Sequence, residues 1–192
     1  ALLWCDQRTA EQCAYIEATV GEAELGRLTG NRALTGFTAP KLLWLRQHEP
    51  ENYARVRHLL LPKDYVRLRL TGAFGMDMAD ASGTLLLDVA HRSWSQTVAE
   101  RLEIPLEWLP PLYESGDIAG HLLPDAAALT GLAAGTPIVV GGGDQACGAV
   151  GVGVVRQGIA SVALGTSGVV FVHDDSYQVD EAYRLHSFCH GV

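Results

Sequence analysis

The 192-residue chain reads as an α/β fold, and three features carry that reading. Short apolar runs bounded by glycine, at residues 137–140 and 158–164, have the length of strands and not of helices. Longer stretches place apolar side chains at helical spacing, as with Cys13, Ile16 and Val20. Glycine and proline punctuate the junctions, so helices and strands alternate irregularly along one chain, with no repeat and no low-complexity segment.

Taken in order, residues 1–4 predict a short strand and residues 6–20 a helix. Gly21, Gly26 and Gly30 break the next stretch into loop. Thr38 is placed to cap a helix over 41–48, with Pro40 in its first turn and Pro50 beyond its end. Residues 51–60 carry Tyr53, Val56 and Leu60 at helical spacing, although Leu59-Leu60-Leu61 equally suits a buried strand. Pro62-Lys63-Asp64 opens a helix that stops at Thr71-Gly72. A strand is expected over 83–89, a helix over 94–102, and a short helix or loop in the proline-rich stretch 104–113. An Ala/Leu-rich helix follows at 122–135, and a helix of small residues at 146–155. Strands at 158–164 and 168–173 flank Gly165-Thr166-Ser167-Gly168 as a hairpin. The change in composition near 156–158 marks the expected domain boundary, giving residues 1–155 and 156–192.

Hydrophobic residues make up 48% of the chain and charged residues 19%, a globular balance. A net charge of −8 and a pI near 5.3 argue against a surface for nucleic acid or anionic membrane. Four scattered cysteines, Cys5, Cys13, Cys147 and Cys189, show no disulfide framework and suit reduced thiols in the cytoplasm. No apolar run approaches the roughly 20 residues of a membrane helix. The opening Ala1-Leu2-Leu3-Trp4 reads as a strand entered in mid-course, so a fragment is expected.

Two glycine bends carry the candidate chemistry. An apolar strand runs into Gly141-Gly142-Gly143, which presents the carboxylate of Asp144. At such a bend a carboxylate can take a proton from a substrate hydroxyl as it attacks phosphorus. An N-terminal helix cap accounts for Asp at the same position, and the two roles are compatible. The Gly165-Thr166-Ser167-Gly168 bend offers backbone N–H groups and hydroxyls to an anion, though a tight hairpin turn uses the same residues.

Other patterns compete less well. Gly141-x-Gly143-x-x-Ala146 fits a dinucleotide fingerprint, but Asp144 would face the pyrophosphate and no acid follows at the ribose distance. Cys147 with His91 upstream approaches a cysteine-protease motif, yet Cys147 lies in a small-residue helix and is expected in the core. His186, Cys189 and His190 lack a second ligand pair, so no metal site is expected. The tryptophans Trp4, Trp44, Trp94 and Trp108 are expected in the core.

Several longer motifs, met in order, resemble the FGGY sugar-kinase family. They are Gly36-Phe37-Thr38-Ala39-Pro40-Lys41-Leu42-Leu43-Trp44 and onward to His48, Leu61-Pro62-Lys63-Asp64-Tyr65, Leu70-Thr71-Gly72, Asp77-Met78-Ala79-Asp80-Ala81-Ser82-Gly83-Thr84, residues 141–153 and residues 164–171. The resemblance spans essentially the whole chain and is strongest to the xylulose-phosphorylating branch. It implies an RNase-H-like fold of the actin/hexokinase kind, with the latter part of a first, sugar-binding domain and the first hairpin of a second, nucleotide-binding domain. It implies transfer of the γ-phosphoryl group of ATP, with Mg²⁺, to a sugar hydroxyl. Asp144 then matches the general base, Trp4 and Gln145 match substrate-contacting positions, and Gly165 and Thr166 match a phosphate-binding turn. The implied partners are a small sugar and MgATP, with neither nucleic acid nor membrane involved; the sequence does not fix the oligomeric state, a homodimer being one option.

Two departures bear on the sugar. Gln145 is the residue that glycerol kinases carry after the base, where the xylulose branch usually carries Asn. Gly36 stands where glycerol kinases place a tyrosine, which leaves room for a longer polyol. The family's first phosphate turn and its adenine-binding glycines have no counterpart in these 192 residues. The chain alone is therefore expected to be inactive.

Overall fold

The computed structural model describes residues 2–165 and 168–192. In chain order the elements are α1 (Ala10–Val20), α2 (Glu22–Thr29), α3 (Thr38–His48), α4 (Pro50–Tyr53), α5 (Pro62–Thr71), β1 (Met76–Asp77), α6 (Met78–Ser82), β2 (Leu87–Asp88) and β3 (Ser93–Trp94). They continue with α7 (Gln96–Arg101), a single 3₁₀ turn at Leu106–Trp108, β4 (Leu112–Tyr113), β5 (Ile118–His121), α8 (Pro124–Thr130), β6 (Pro137–Val139), α9 (Asp144–Gly151), β7 (Ala160–Leu164) and β8 (Gly168–Val172). The chain divides into two compact units, each assembled from separate stretches of sequence.

The first unit comprises residues 1–59, 81–110 and 179–188. Its core gathers Cys13, Ile16 and Val20 of α1, Leu25 and Leu28 of α2, Leu42 and Leu43 of α3, and Leu85, Leu86, Val98, Leu102 and Ile104. These are the apolar positions whose helical spacing predicts α1. β2 and β3 form a short antiparallel ladder, with Leu87 opposite Trp94. Ser95 caps α7 by accepting a hydrogen bond from the Val98 N–H. The last stretch returns to this unit. Asn31 Nδ2 donates to the Ser187 carbonyl at 3.0 Å, and the His186 ring lies edge-on to Phe37 and stacked on Phe188.

The second unit comprises residues 60–80, 111–178 and 189–192. β1 pairs in parallel with β4, β5 antiparallel with β6, and β7 antiparallel with β8. One apolar cluster gathers Leu122, Ala126 and Ala127, with Leu70 and Ile138 packed against them, and Met76, Val140, Ala146, Ala149 and Val154 are buried as well.

Several sequence expectations fail for identifiable reasons. Leu2–Trp4 is not a strand, and Trp4 is 75% exposed at a turn. Residues 22–29 are helical despite three glycines. Gly21 and Gly30, at φ +86° and +70°, begin and end α2, while inside it Gly26 carries no side chain because the Tyr183 ring occupies that space. The helix expected over 51–60 stops at Tyr53, after which Leu59 N–H donates to the Trp108 carbonyl. The strand expected over 83–89 shrinks to Leu87–Asp88. Leu85 adopts φ +66° and the Thr84 N–H bonds back to Ala81, so burial of Leu85–Leu87 and not alternation sets the backbone. The helix expected over 122–135 spans only Pro124–Thr130, ended by left-handed Gly131, and Leu122 N–H turns to Thr136 instead.

Candidate active site

β6 ends at Val139, and the chain turns through Gly141, Gly142 and Gly143 before α9 begins at Asp144. Each glycine has its own reason. Gly141 sits at φ +83°, where a side chain is strained. A Cβ on Gly142 would lie 3.1 Å from Cys147 Sγ and 3.2 Å from Ser115 Oγ. Gly143 has an ordinary φ of −61°, yet a Cβ there would lie 2.5 Å from Asp80 Oδ1.

Gly143 occupies the cap position of α9, with Cys147 N–H donating to its carbonyl at 2.9 Å. The cap reading of Asp144 is therefore corrected: it is the first helical residue, and its Oδ1 accepts the Gln145 N–H at 2.8 Å. Asp144 and Gln145 are both exposed and adjacent on this turn. A carboxylate so presented is accessible to a substrate hydroxyl. Cys147, expected in the core, is exposed on the same helix. The turn suits a pyrophosphate poorly, because the carboxylates of Asp80 and Asp144 flank Gly143.

Behind the turn lies a cluster of charges that sequence reading did not single out. Lys63 Nζ contacts Asp64 Oδ1 at 2.7 Å, Asp80 Oδ2 at 3.0 Å and also Asp77 Oδ2. Arg67 Nη1 donates to Asp64 Oδ1 at 3.1 Å and to the Val140 carbonyl at 2.8 Å, and its Nη2 donates to the Gly75 carbonyl. Asp64 also accepts the Leu61 N–H at 3.1 Å, and Asp77 Oδ1 accepts the Asp80 N–H at 2.8 Å. Asp64 and Asp77 are fully buried and Arg67 nearly so. Burial pulls the Lys63 ammonium down, but the carboxylates of Asp80, Asp64 and Asp77 outweigh it and hold its pKa above the ordinary value. Burial raises the Asp80 carboxyl; Lys63 opposes that rise and Asp77 adds to it, leaving the pKa raised. The available signal was four charged residues inside two short motifs, residues 61–65 and 77–84, without a spacing that marks them as neighbours.

The remaining candidates divide between the units. Trp4 belongs to the first, while Asp144, Gln145 and Gly165 belong to the second. A Cβ on Gly36 would come within 3.2 Å of the Trp4 carbonyl oxygen, so these two positions are neighbours. Gly165 follows β7 and is exposed; Thr166 lies outside the described residues. His186 interacts with Asn31 Oδ1 in the first unit, whereas Cys189 and His190 fall in the second. Among the described residues no group of three or more His, Cys, Asp or Glu side chains is arranged to hold a metal ion. No helix among them is long and apolar enough to cross a membrane.

Comparison with known proteins places this geometry in context. Residues 1–151 match the model for the N-terminal domain of the FGGY family of carbohydrate kinases. The chain is 47% identical over 192 residues to a xylulose kinase of Escherichia coli (strain K12), and 43% identical over 191 residues to one of Bacillus subtilis (strain 168). All of this chain is covered, but it spans only 39% and 38% of those relatives. A crystal structure of a xyloylose kinase from Brucella ovis superposes with a TM-score of 0.92 at 40% identity, covering 99% of this chain and 39% of that one. A xylulose kinase structure from Rhodospirillum rubrum gives 0.92 at 27% identity. These likenesses carry the fold class, an α/β domain of the RNase-H-like, actin/hexokinase type. The chain belongs to the FGGY family of carbohydrate kinases.

Proposed function

We propose that the whole protein phosphorylates D-xylulose to D-xylulose 5-phosphate at the expense of ATP, with Asp144 as general base. The observation that carries the reading is the exposed Asp144 carboxylate on the glycine turn between β6 and α9, in a chain 40–47% identical to several xylulose kinases. In the reaction a sugar hydroxyl attacks the γ-phosphorus of MgATP. The new O–P bond forms as the bond to the β-phosphate oxygen breaks, the hydroxyl proton passes to the Asp144 carboxylate, and ADP departs. Mg²⁺ enters as part of the nucleotide substrate.

Gln145, next to the base, is assigned to the acceptor sugar, as is Trp4. Gly36 puts no ring beside Trp4, which supports an acceptor longer than glycerol. Gly165 and Thr166 are assigned to the phosphates. The β7–β8 hairpin fits that role, with Gly165 exposed at the end of β7. We assign residues 1–155 to the sugar-binding domain and 156–192 to the start of the nucleotide-binding domain, and the protein to the cytoplasm. The family match over residues 1–151 supports that division.

The test is a coupled ADP-release assay on the complete protein with xylulose, ribulose, gluconate and glycerol. Xylulose should give the highest kcat/KM, and Asp144→Ala should lower turnover more than ~100-fold. Preference for another of these acceptors would replace the substrate assignment, and near-normal turnover by the Ala variant would remove Asp144 from its role. The 192-residue chain by itself should show no turnover, because phosphoryl transfer depends on contacts to all three phosphates.

A further inference from the structure

Gly143 poses a physical question that its backbone does not answer. At φ −61° and ψ 153° an alanine is conformationally acceptable, so the requirement for glycine comes from outside the residue. The neighbour is Asp80, whose Oδ1 would lie 2.5 Å from an added Cβ, well inside contact distance. Side-chain carboxylates often swing aside, but this one is restrained. Lys63 Nζ holds its Oδ2 at 3.0 Å, and its own N–H is bound to buried Asp77 Oδ1 at 2.8 Å. Lys63 is in turn fixed by Asp64, which Arg67 ties to the Val140 carbonyl at the end of β6. The strand end and the glycine turn thus rest on one charged frame, and Asp144 is the next residue along.

We infer that Asp80, held by Lys63, is a positioning residue: it acts as the stop against which Gly143 packs and so sets where the Asp144 carboxylate stands. The inference rests on the kinase reading of Asp144. It differs from a direct role, because Asp80 acts through the backbone of the turn and exchanges no proton with substrate. Misplacement of a reacting group by about 1 Å can cost on the order of 100-fold in rate, so a small stop can have a large catalytic effect.

The experiment uses the complete protein and the variants Asp80→Ala, Asp80→Asn, Gly143→Ala and the double variant Asp80→Ala/Gly143→Ala. Asp80→Ala should lower kcat at least ~10-fold while KM for MgATP stays within about 2-fold, the pattern of lost transition-state alignment. Asp80→Asn keeps the shape of the stop and should retain kcat within about 3-fold. Gly143→Ala should lower kcat at least ~10-fold, and removing Asp80 in that background should recover at least ~3-fold, a non-additivity expected only of groups in contact. Losses in the double variant that simply multiply, or equal kcat for Asp80→Ala and Asp80→Asn, would overturn the inference. If Gly143→Ala does not fold, the Ala-against-Asn contrast at position 80 decides alone. An inactive wild-type protein overturns the kinase reading and the catalytic half of this inference together, whereas an active one with additive losses overturns the inference only.

Discussion

The two units are held together by different physics. The first is organised around a continuous apolar core in which Ile16, Leu25, Leu85, Leu86, Val98 and Leu102 are fully buried. The second also buries apolar side chains, among them Met76, Val140 and Val154, but sets an ionic group beside them: Asp64, Asp77 and Arg67 with Lys63 at the edge. Its strands leave large side chains in the open, with Leu164 of β7 at 87% exposure and Val170 of β8 at 71%. Apolar packing is forgiving of direction, whereas a charge frame fixes bond angles and distances. The contrast teaches that the unit carrying the candidate base has the more exact and the more fragile support.

That contrast can be broken by substitution. The largest effect is expected at Arg67→Ala, which takes one of two cations from buried Asp64 and removes the Arg67 donor from the carbonyls of Gly75 and Val140; about 3–5 kcal/mol of stability should be lost, read by urea unfolding of the complete protein. Ile16→Ala in the apolar core should cost about 2–4 kcal/mol by the same measurement, while Val170→Ala on the exposed strand should cost little. If Ile16→Ala proves costlier than Arg67→Ala, the ionic frame matters less than its burial suggests.

The smallest expected effect is a pH dependence in the first unit. Burial lowers the His186 pKa below its ordinary value. The unfolded chain therefore binds this proton more readily, so the group's contribution is intact above about pH 6.5 and is lost as pH falls through the depressed folded value. No cation accompanies the ring among the contacts given by Asn31, Phe37 and Phe188. Amide protection factors in residues 179–188, corrected for the intrinsic exchange rate, should fall as pH drops from about 7 to about 5, and His186→Phe should flatten that response. An unchanged profile in the variant would assign the effect elsewhere.

How much of this could be read from sequence depended on the range of the cause. α5 was legible because both its ends are local: Pro62 opens it and left-handed Gly72 closes it. The β7–β8 hairpin was legible for the same reason, since its strands flank one glycine bend. The Asp144 turn was also legible, as an apolar strand running into glycines. The support of that turn was not, because Asp80 reaches Gly143, and Lys63 and Asp77 hold Asp80, from a distant part of the chain. α2 is not legible, since Gly26 resembles a breaker in sequence while its cause, the space taken by Tyr183, lies far along the chain. The exposure of Cys147 is not legible, because small residues favour close packing without saying which face is covered.

The return of residues 179–188 to the first unit has a consequence for biosynthesis. Asn31 waits for Ser187, and Gly26 for Tyr183, so the first unit cannot be completed until most of the second has left the ribosome. At roughly 5–20 residues per second, the interval between Pro110 and Val179 lasts on the order of 10 s. During that time Gly26 lacks the Tyr183 ring, and Phe37 lacks the rings of His186 and Phe188.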